Sequence, residues 1–308
     1  MKRYCQPTAK MTTPANPAQA VMAFLPSRAF RFCAFASLLA AFTVFALLCA
    51  SPGYAQSVAL TFDDGFDATN GNTQAARDNA SVLATLKKQG VRAMLFPAGQ
   101  LADHDENLEL VRHWGEAGHA IGNHTYSHEA LSKSDTTRYL DDVRRAHELL
   151  HALPGWCPRL RFPYLDEGKD QTQHSQAIQW LAQHGYGVAP VTIALSDWEY
   201  AQRYEDLLQS GSDQDASAFR QRYVELIGTQ AHEQDVQWQA QVHRSPAHVL
   251  LLHTNRLNAA VLPDLLQWFT RHGWSFTDPL TAFGDPIYQR GYTNAEGSST
   301  TLPQPACR

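Results

Sequence analysis

The chain repeats one unit, a short apolar run followed by a stretch with helical spacing. The runs are Val58–Phe62, Val91–Phe96, 158–163, Gly187–Ile193, His248–His253 and Trp274–Phe276. Between the first two, residues 74–89 place Ala76, Val82, Leu83 and Leu86 near one face and stop at Gly90. Residues 105–117 do the same with Leu108, Val111 and Trp114, and 135–152, 174–184 and Leu257–His272 also read as helices. Repeated units of a strand followed by a helix imply parallel strands joined by helical crossovers. The expected class is therefore α/β with a parallel sheet. At this length a TIM-like (β/α) barrel is favoured over an open doubly wound sheet.

Residues 1–55 follow another pattern. They contain no Asp, Glu or His; Arg28 and Arg31 precede an apolar run from Phe32 to Ala50, and Gly53-Tyr54-Ala55 ends with small residues. This is the layout of a secretory signal cleaved after Ala55, which predicts an exported, periplasmic or secreted protein with no stable membrane span after cleavage. An uncleaved anchor is the alternative, because the run is long enough to cross a bilayer. Residues 56–308, with no low-complexity linker or internal repeat, read as one domain. The segment at about 199–247, rich in Gln, Ala, Glu and Arg, is long for a crossover. It reads as two solvated helices joining strands, or as a wall over a binding groove.

Cleavage would remove five of the 25 basic residues and none of the 30 acidic ones, leaving a net charge of −10. Such a surface does not follow phosphate backbones, so nucleic acid is not an expected partner, and a neutral polymer or small molecule fits better than a polyanion. Of five cysteines, only Cys157 and Cys307 lie beyond the leader. In an exported protein this pair predicts a disulfide tying the C-terminal tail to the region before Arg161.

Two short motifs carry chemistry. Thr61-Phe62-Asp63-Asp64-Gly65 puts two carboxylates just past the first strand, and His124-Thr125-Tyr126-Ser127-His128 puts two imidazoles four residues apart. Adjacent carboxylates raise one another's pKa unless a cation or strong donor compensates. Two imidazoles on one helical turn would face one ion. Gly118 to Asn123 reads as a flexible approach to them. One acidic ligand, two imidazoles and a spare carboxylate make up a site for metal-assisted hydrolysis, and imidazoles favour Zn²⁺ over Mg²⁺. Asp63, Asp64, Arg161, Asp197 and His253 all fall at the C-terminal ends of predicted strands, the face that carries catalysis in such barrels. Base and acid must be separate groups, which Asp63 and His253 supply.

Thr61–Gly65, His124–His128, Arg161-Phe162-Pro163-Tyr164 and Leu250–His253 together resemble, in order and spacing, the motifs of the polysaccharide deacetylase family, carbohydrate esterase family 4. The resemblance spans roughly residues 57–285. It implies a distorted (β/α)7–8 TIM-like barrel that removes N- or O-linked acetyl groups from a polysaccharide or oligosaccharide. The implied cofactor is a divalent metal, Zn²⁺ first, with Co²⁺, Ni²⁺ or Mn²⁺ as alternatives. Carried over by position, Asp64, His124 and His128 would bind the metal, Asp63 would be the base, and Arg161 would hold it. His253 would be the acid, oriented by Asp197. The backbone N–H of Tyr164 would steady the oxyanion, Leu251 would line the acetyl-methyl pocket, and Trp198 would face the substrate. One departure is Ala194, where the family often has an acidic residue four before the tryptophan. The same barrel and metal would also suit hydrolysis of a non-sugar amide or imide. A catalytically silent carbohydrate-binding protein is the reading of another class, and the intact set of motif residues argues against it.

Overall fold

A computed structural model describes residues 56–288, 292–293, 299–300 and 302–307. The expected leader, 1–55, lies outside the described residues. Strand β1 (Ser57–Asp64) runs through the middle of a parallel sheet, flanked by β2 (Ala93–Pro97) and β6 (Ala247–His253). Beyond β2 come β3 (Ala120–Asn123), β4 (Trp156–Leu160) and β5 (Gly187–Val188), giving the order β5-β4-β3-β2-β1-β6. The last strand of this sheet, β7 (Ser275–Phe276), pairs with Ser57 and Val58, below the point where β2 begins.

The sheet curls until its ends meet through an irregular segment. Ala189 N donates to Leu160 O on β4 (2.9 Å), and four residues later Ile193 bridges to Leu250 on β6. Leu251 N donates to Ile193 O at 3.0 Å. The fold is thus a distorted (β/α) barrel, and this closure sets aside the open doubly wound sheet. The expected strand 187–193 is regular over only two residues. Pro190 has no N–H to give a ladder, so pairing moves from one neighbour to the other across it. Similarly β4 ends at Leu160 rather than 163, because Pro163 again lacks a donor and Tyr164 turns away with φ 59°.

Five helices account for the expected helical stretches outside the long insertion. They are α1 (Thr73–Gln89), α2 (Asp105–Glu116), α3 (Thr136–Leu150), α4 (Gln171–Gln183) and, after β6, α7 (Arg256–Arg271). Side-chain caps start several of them: Asn72 accepts from Ala75 N, Asp135 from Thr137 N and Arg138 N, and Asn255 from Asn258 N. Each such cap is worth about 1 kcal/mol. The insertion forms α5 (Asp197–Gln209) and α6 (Asp213–Val242), which pack with α7 into an outer layer through Tyr204, Tyr223, Val224 and Ile227. Only the start of α5 reaches the binding cavity.

Period-two alternation sorts each strand. Val58, Leu60 and Phe62 of β1, with Leu250 and Leu252 of β6, join the large cluster under the helices. Ala59 and Val249 join Met94, Phe96, Ala120, Cys157 and Phe283 in a second cluster inside the barrel. The interior is tight. A Cβ on Gly122 would stand 2.4 Å from the Phe96 ring, so only glycine lets β3 pass there. The tail 302–307 reaches the β4–β5 edge, where Gln304 accepts from Arg159 and Cys307 is joined to the buried Cys157 across 150 residues. Cys307→Ser is expected to cost about 2–4 kcal/mol. The check is a thermal melt in which reductant lowers the wild-type midpoint and leaves the variant's unchanged.

Candidate active site

Successive strand residues point to opposite faces, so two adjacent aspartates at a strand end would normally part company. Here Asp64 takes φ 80° and Gly65 φ 108°, turning the chain so that both carboxylates line one cavity. A non-glycine residue there costs on the order of 1–3 kcal/mol. Thr254 holds the turn: its Oγ1 donates to Asp63 O (2.9 Å) and accepts from Gly65 N (2.8 Å).

The histidine motif is not a helical turn. Residues 124–128 form a loop after β3, with Thr125 at φ 60° and His128 at φ 58°. Asn123 Oδ1 accepts from Thr125 N (2.8 Å), Thr125 Oγ1 from His128 N (3.1 Å), and Asp142 Oδ2 from the backbone of Tyr126 and Ser127 (2.9 and 2.8 Å). Four-residue spacing therefore converges the rings through two left-handed residues, not through helix pitch. The approach through Gly118 to Asn123 is not flexible either, since its second half is the fully buried β3. His119 is held against β2, its Nδ1 accepting from Ala93 N (3.2 Å).

His124 Nδ1 meets Arg161 O at 2.8 Å, which fixes the tautomer and leaves Nε2 free to ligate. Nε2 of His124 lies 3.2 Å from Nε2 of His128, and Asp64 Oδ1 lies 3.7 and 3.3 Å from the two. Ligands at about 2.0–2.1 Å around a tetrahedral ion stand roughly 3.4 Å apart, close to these separations. Burial pushes His124 down to about 3, so its ring is neutral and its approach to Asp64 is not an ion pair. Asp64 Oδ1 is buried with no hydrogen-bond partner. An orphaned carboxylate oxygen beside two converging imidazole nitrogens is a donor set that fits a divalent cation. Among the described residues, Asp64, His124 and His128 are the group placed to hold one.

Asp63 and His253 lie opposite one another in the β1–β6 register, each with its own partner. The wholly buried Arg161 donates from Nη1 to both Asp63 oxygens (3.3 Å each), from Nη2 to Thr61 Oγ1 (3.1 Å) and from Nε to Ala189 O (2.8 Å). Burial pushes the Asp63 carboxyl up, while Arg161 and then His253 pull it back; the balance lies above the ordinary carboxylate value. His253 Nδ1 meets Asp197 Oδ1, and its backbone N donates to Asp197 Oδ2 (2.8 Å). Burial lowers the imidazole, but the Asp197 hydrogen bond and charge outweigh it and bring His253 up to about 9. A carboxyl held by an arginine and an imidazole held by an aspartate thus face one cavity.

Asp63, Asp64, His124, His128 and His253 line a cavity of about 550 Å³ with Tyr164, Leu165, Ala194, Leu195, Ser196, Trp198 and Leu251. Trp198 is 61 % and Tyr164 72 % exposed, so neither is a core residue, whereas Leu251 is buried. Tyr164 sets its ring edge-on to His128, with centroids 4.8 Å apart. Residues 51–189 match the family model described as polysaccharide deacetylase. That stretch, a little under half of the chain, is similar to the polysaccharide deacetylase family.

Several relatives in that family show where the likeness lies. A peptidoglycan-N-acetylglucosamine deacetylase of Bacillus cereus is 31 % identical over 143 residues, 46 % of this chain and 46 % of the relative. A chitin deacetylase of Colletotrichum lindemuthianum is 32 % identical over 124 residues, 39 % and 45 % of the two chains. The peptidoglycan-N-acetylmuramic acid deacetylase PdaA of Bacillus subtilis is 25 % identical over 222 residues, 72 % of this chain and 69 % of that one. The chain spans less than half the length of the first of these, and 27 % of the Listeria monocytogenes deacetylase PgdA. A T48 deacetylase solved with substrate shares the fold at a TM-score of 0.51 and 18 % identity, covering 81 % of this chain and 96 % of that one. So does a mutant of the family pseudoenzyme BA3943 with restored activity, at 0.50 and 17 %, covering 73 % and 66 %.

The motifs do not include the residues that hold this site in place. Asn258 on α7 donates from Nδ2 to Asp197 Oδ2 (2.5 Å) and His253 O (2.8 Å), and Tyr223 on α6 donates to Asn258 Oδ1 (3.0 Å). Asp142 and Thr254 are equally silent in sequence. Asn258 sits three residues after a helix cap, where an asparagine reads as ordinary helix-start chemistry, and no spacing rule links it to residue 197.

Proposed function

We propose that the chain is a metal-dependent hydrolase that removes acetyl groups from a polysaccharide or oligosaccharide. The observation that carries this reading is the facing pair Asp63 and His253, one held by Arg161 and the other by Asp197, beside a three-ligand Asp/His/His set. Asp64, His124 and His128 would hold the ion, with Zn²⁺ first and Co²⁺, Ni²⁺ or Mn²⁺ as alternatives. When bound, a divalent ion supplies a Lewis acid that polarises an acetyl carbonyl and acidifies water.

The chain's own residues do the rest. Asp63, whose ionised form Arg161 favours against the effect of burial, takes a proton from water as the water oxygen adds to the acetyl carbon. The Tyr164 backbone N–H steadies the negative oxygen that results. His253 gives its proton to the departing amine nitrogen or alkoxide oxygen as the C–N or C–O bond breaks, so acetate and a free amine or hydroxyl leave. Leu251 packs on the acetyl methyl, while the exposed Trp198 and Tyr164 offer faces to a sugar ring.

The relatives act on peptidoglycan and chitin by name, and an acetylated glycan of that kind is the proposed substrate. A net charge of −10 beyond residue 55 suits a neutral polymer. An exported protein, periplasmic or secreted, is the proposed setting. Among the described residues no helix is long and apolar enough to cross a membrane. Ala194 and Leu195, on the wall where the family often carries an acid, favour a second reading: hydrolysis of a less polar, non-sugar amide or imide. Acetate release from chitooligosaccharides, acetylated xylan and peptidoglycan separates the two, and no release from all three would favour the second.

The pH profile follows from the two groups. The rate rises as Asp63 ionises, above the ordinary carboxylate range, and falls as His253 loses its proton near 9. The imidazole's proton affinity is raised chiefly by Asp197, so Asp197→Asn should move the alkaline limb down by about one to two units and lower kcat. A pH–kcat profile checks this, and an unmoved limb would contradict it. The sign for stability is the same. A folded-state value above the ordinary 6.5 stabilises the fold fully below that pH, and the contribution fades as pH rises through about 9.

A further inference from the structure

The orienting aspartate has its own support, built from three elements. Asp197 is the first residue of α5, and Oδ1 serves His253 Nδ1. Its other oxygen, Oδ2, receives His253 N and Asn258 Nδ2. Asn258 spends both amide hydrogens here, one on Asp197 and one on His253 O, and its carbonyl oxygen takes the Tyr223 hydroxyl. Every donor and acceptor on this amide is therefore assigned by its neighbours, so the side chain has one orientation. All three residues are buried: Asp197 and Asn258 are 1 % exposed and Tyr223 2 %. Burial pushes the Tyr223 phenol well up, and nearby Asp197 adds to this, so the hydroxyl stays a donor at any working pH.

We propose that Asn258 and Tyr223 are positioning residues for the general acid, acting through Asp197 to hold the His253 ring with its Nε2 edge toward the leaving group. Without Asn258, Oδ2 keeps only the His253 backbone N–H, and a carboxylate held by fewer donors turns more readily about its Cβ–Cγ bond and takes the imidazole with it. The Asn258 amide bridges Asp197 Oδ2 to the carbonyl of the histidine itself, which closes a ring of hydrogen bonds around the Asp197–His253 pair. Tyr223 fixes the amide from outside. It lies on α6, so the long insertion has a second task beyond joining strands: α5 contributes the aspartate, α6 the tyrosine, and both meet α7 at Asn258. No spacing along the chain announces this arrangement, which joins residues 197, 223, 253 and 258 only in space.

The proposal rests on the deacetylase reading, and a double-mutant cycle tests it separately from that reading. Acetate release from an N-acetylchitooligosaccharide is measured for wild type, Asn258→Ala, Tyr223→Phe, His253→Ala and the Asn258→Ala/His253→Ala pair, with zinc affinity by calorimetry and thermal midpoints alongside. Misaiming the acid should lower kcat about 10–100-fold in Asn258→Ala. It should lower it about three- to tenfold in Tyr223→Phe, which loses one hydrogen bond at conserved volume. KM and zinc affinity should stay within about twofold in both. With His253 already removed, Asn258→Ala should cost less than about twofold more, since it has nothing left to position. An equal loss in both backgrounds, or wild-type kcat in both single variants, would overturn the proposal. If Asn258→Ala does not fold, Tyr223→Phe placed in the same cycle decides. A wild type that releases no acetate counts against the deacetylase reading, whereas a normal wild-type rate with unaffected variants counts against this inference alone.

Discussion

Asp63→Asn is expected to lower acetate release by about 10²–10⁴-fold, the range that a positioned general base contributes. The substitution keeps the shape of the side chain and one acceptor oxygen, so Arg161 retains a partner, but the group can no longer take a proton. The two metal-facing histidines and Asp64 are untouched, and zinc affinity should stay within about threefold of wild type. Stability will also fall. Arg161 is wholly buried and its Nη1 has the Asp63 carboxylate as its charge partner. Leaving such a guanidinium without its counter-charge costs about 3–5 kcal/mol when the partner is removed outright, and less when an amide oxygen remains. Asp63→Asn should therefore melt earlier and bind normally yet turn over almost nothing. Unchanged turnover would mean that another group takes the proton.

The second large effect concerns the metal. Removing an outer-sphere partner of a metal ligand typically costs 10–100-fold in affinity. His124→Ala and His128→Ala remove the proposed ligands themselves and should exceed that, with zinc affinity falling more than about 100-fold by calorimetry. His124→Ala should be the worse of the two. Its ring is buried and also holds the Arg161 carbonyl, so its loss loosens the guanidinium that serves Asp63, whereas His128 is partly exposed. A strong chelator should abolish acetate release in wild type, and Zn²⁺ or Co²⁺ should restore it. Zinc binding that survives His124→Ala within a few-fold would place the ion elsewhere.

Much of this architecture was readable before any coordinates. Short, mostly apolar runs alternating with helical stretches specify a parallel sheet, and the chemistry-bearing residues fall at its C-terminal edge because strand ends are where side chains escape the core. Prolines limited the reading. Pro190 and Pro163 interrupt strands that hydropathy alone extends, because the pattern registers apolar surface but not the missing N–H. The His124–His128 spacing was legible as a convergent pair but not in its conformation. Four residues suit a helical turn equally well, and the left-handed Thr125 and His128 depend on Asn123 and Asp142, the latter fourteen residues further on. The network around His253 was the least legible part. Its members are ordinary polar residues on three helices, and their meaning comes from burial and from one another rather than from any local pattern.

The central claim is that this site hydrolyses acetyl groups with a bound divalent ion. It is tested most directly by stripping the protein of metal, titrating Zn²⁺ back, and following acetate and free amine from an N-acetylchitooligosaccharide. The account predicts no release without metal, then a rate that rises to a plateau at one ion per chain, with one amine freed per acetate. The same rate in metal-free protein, or no acetate from any acetylated glycan at full occupancy, would contradict it.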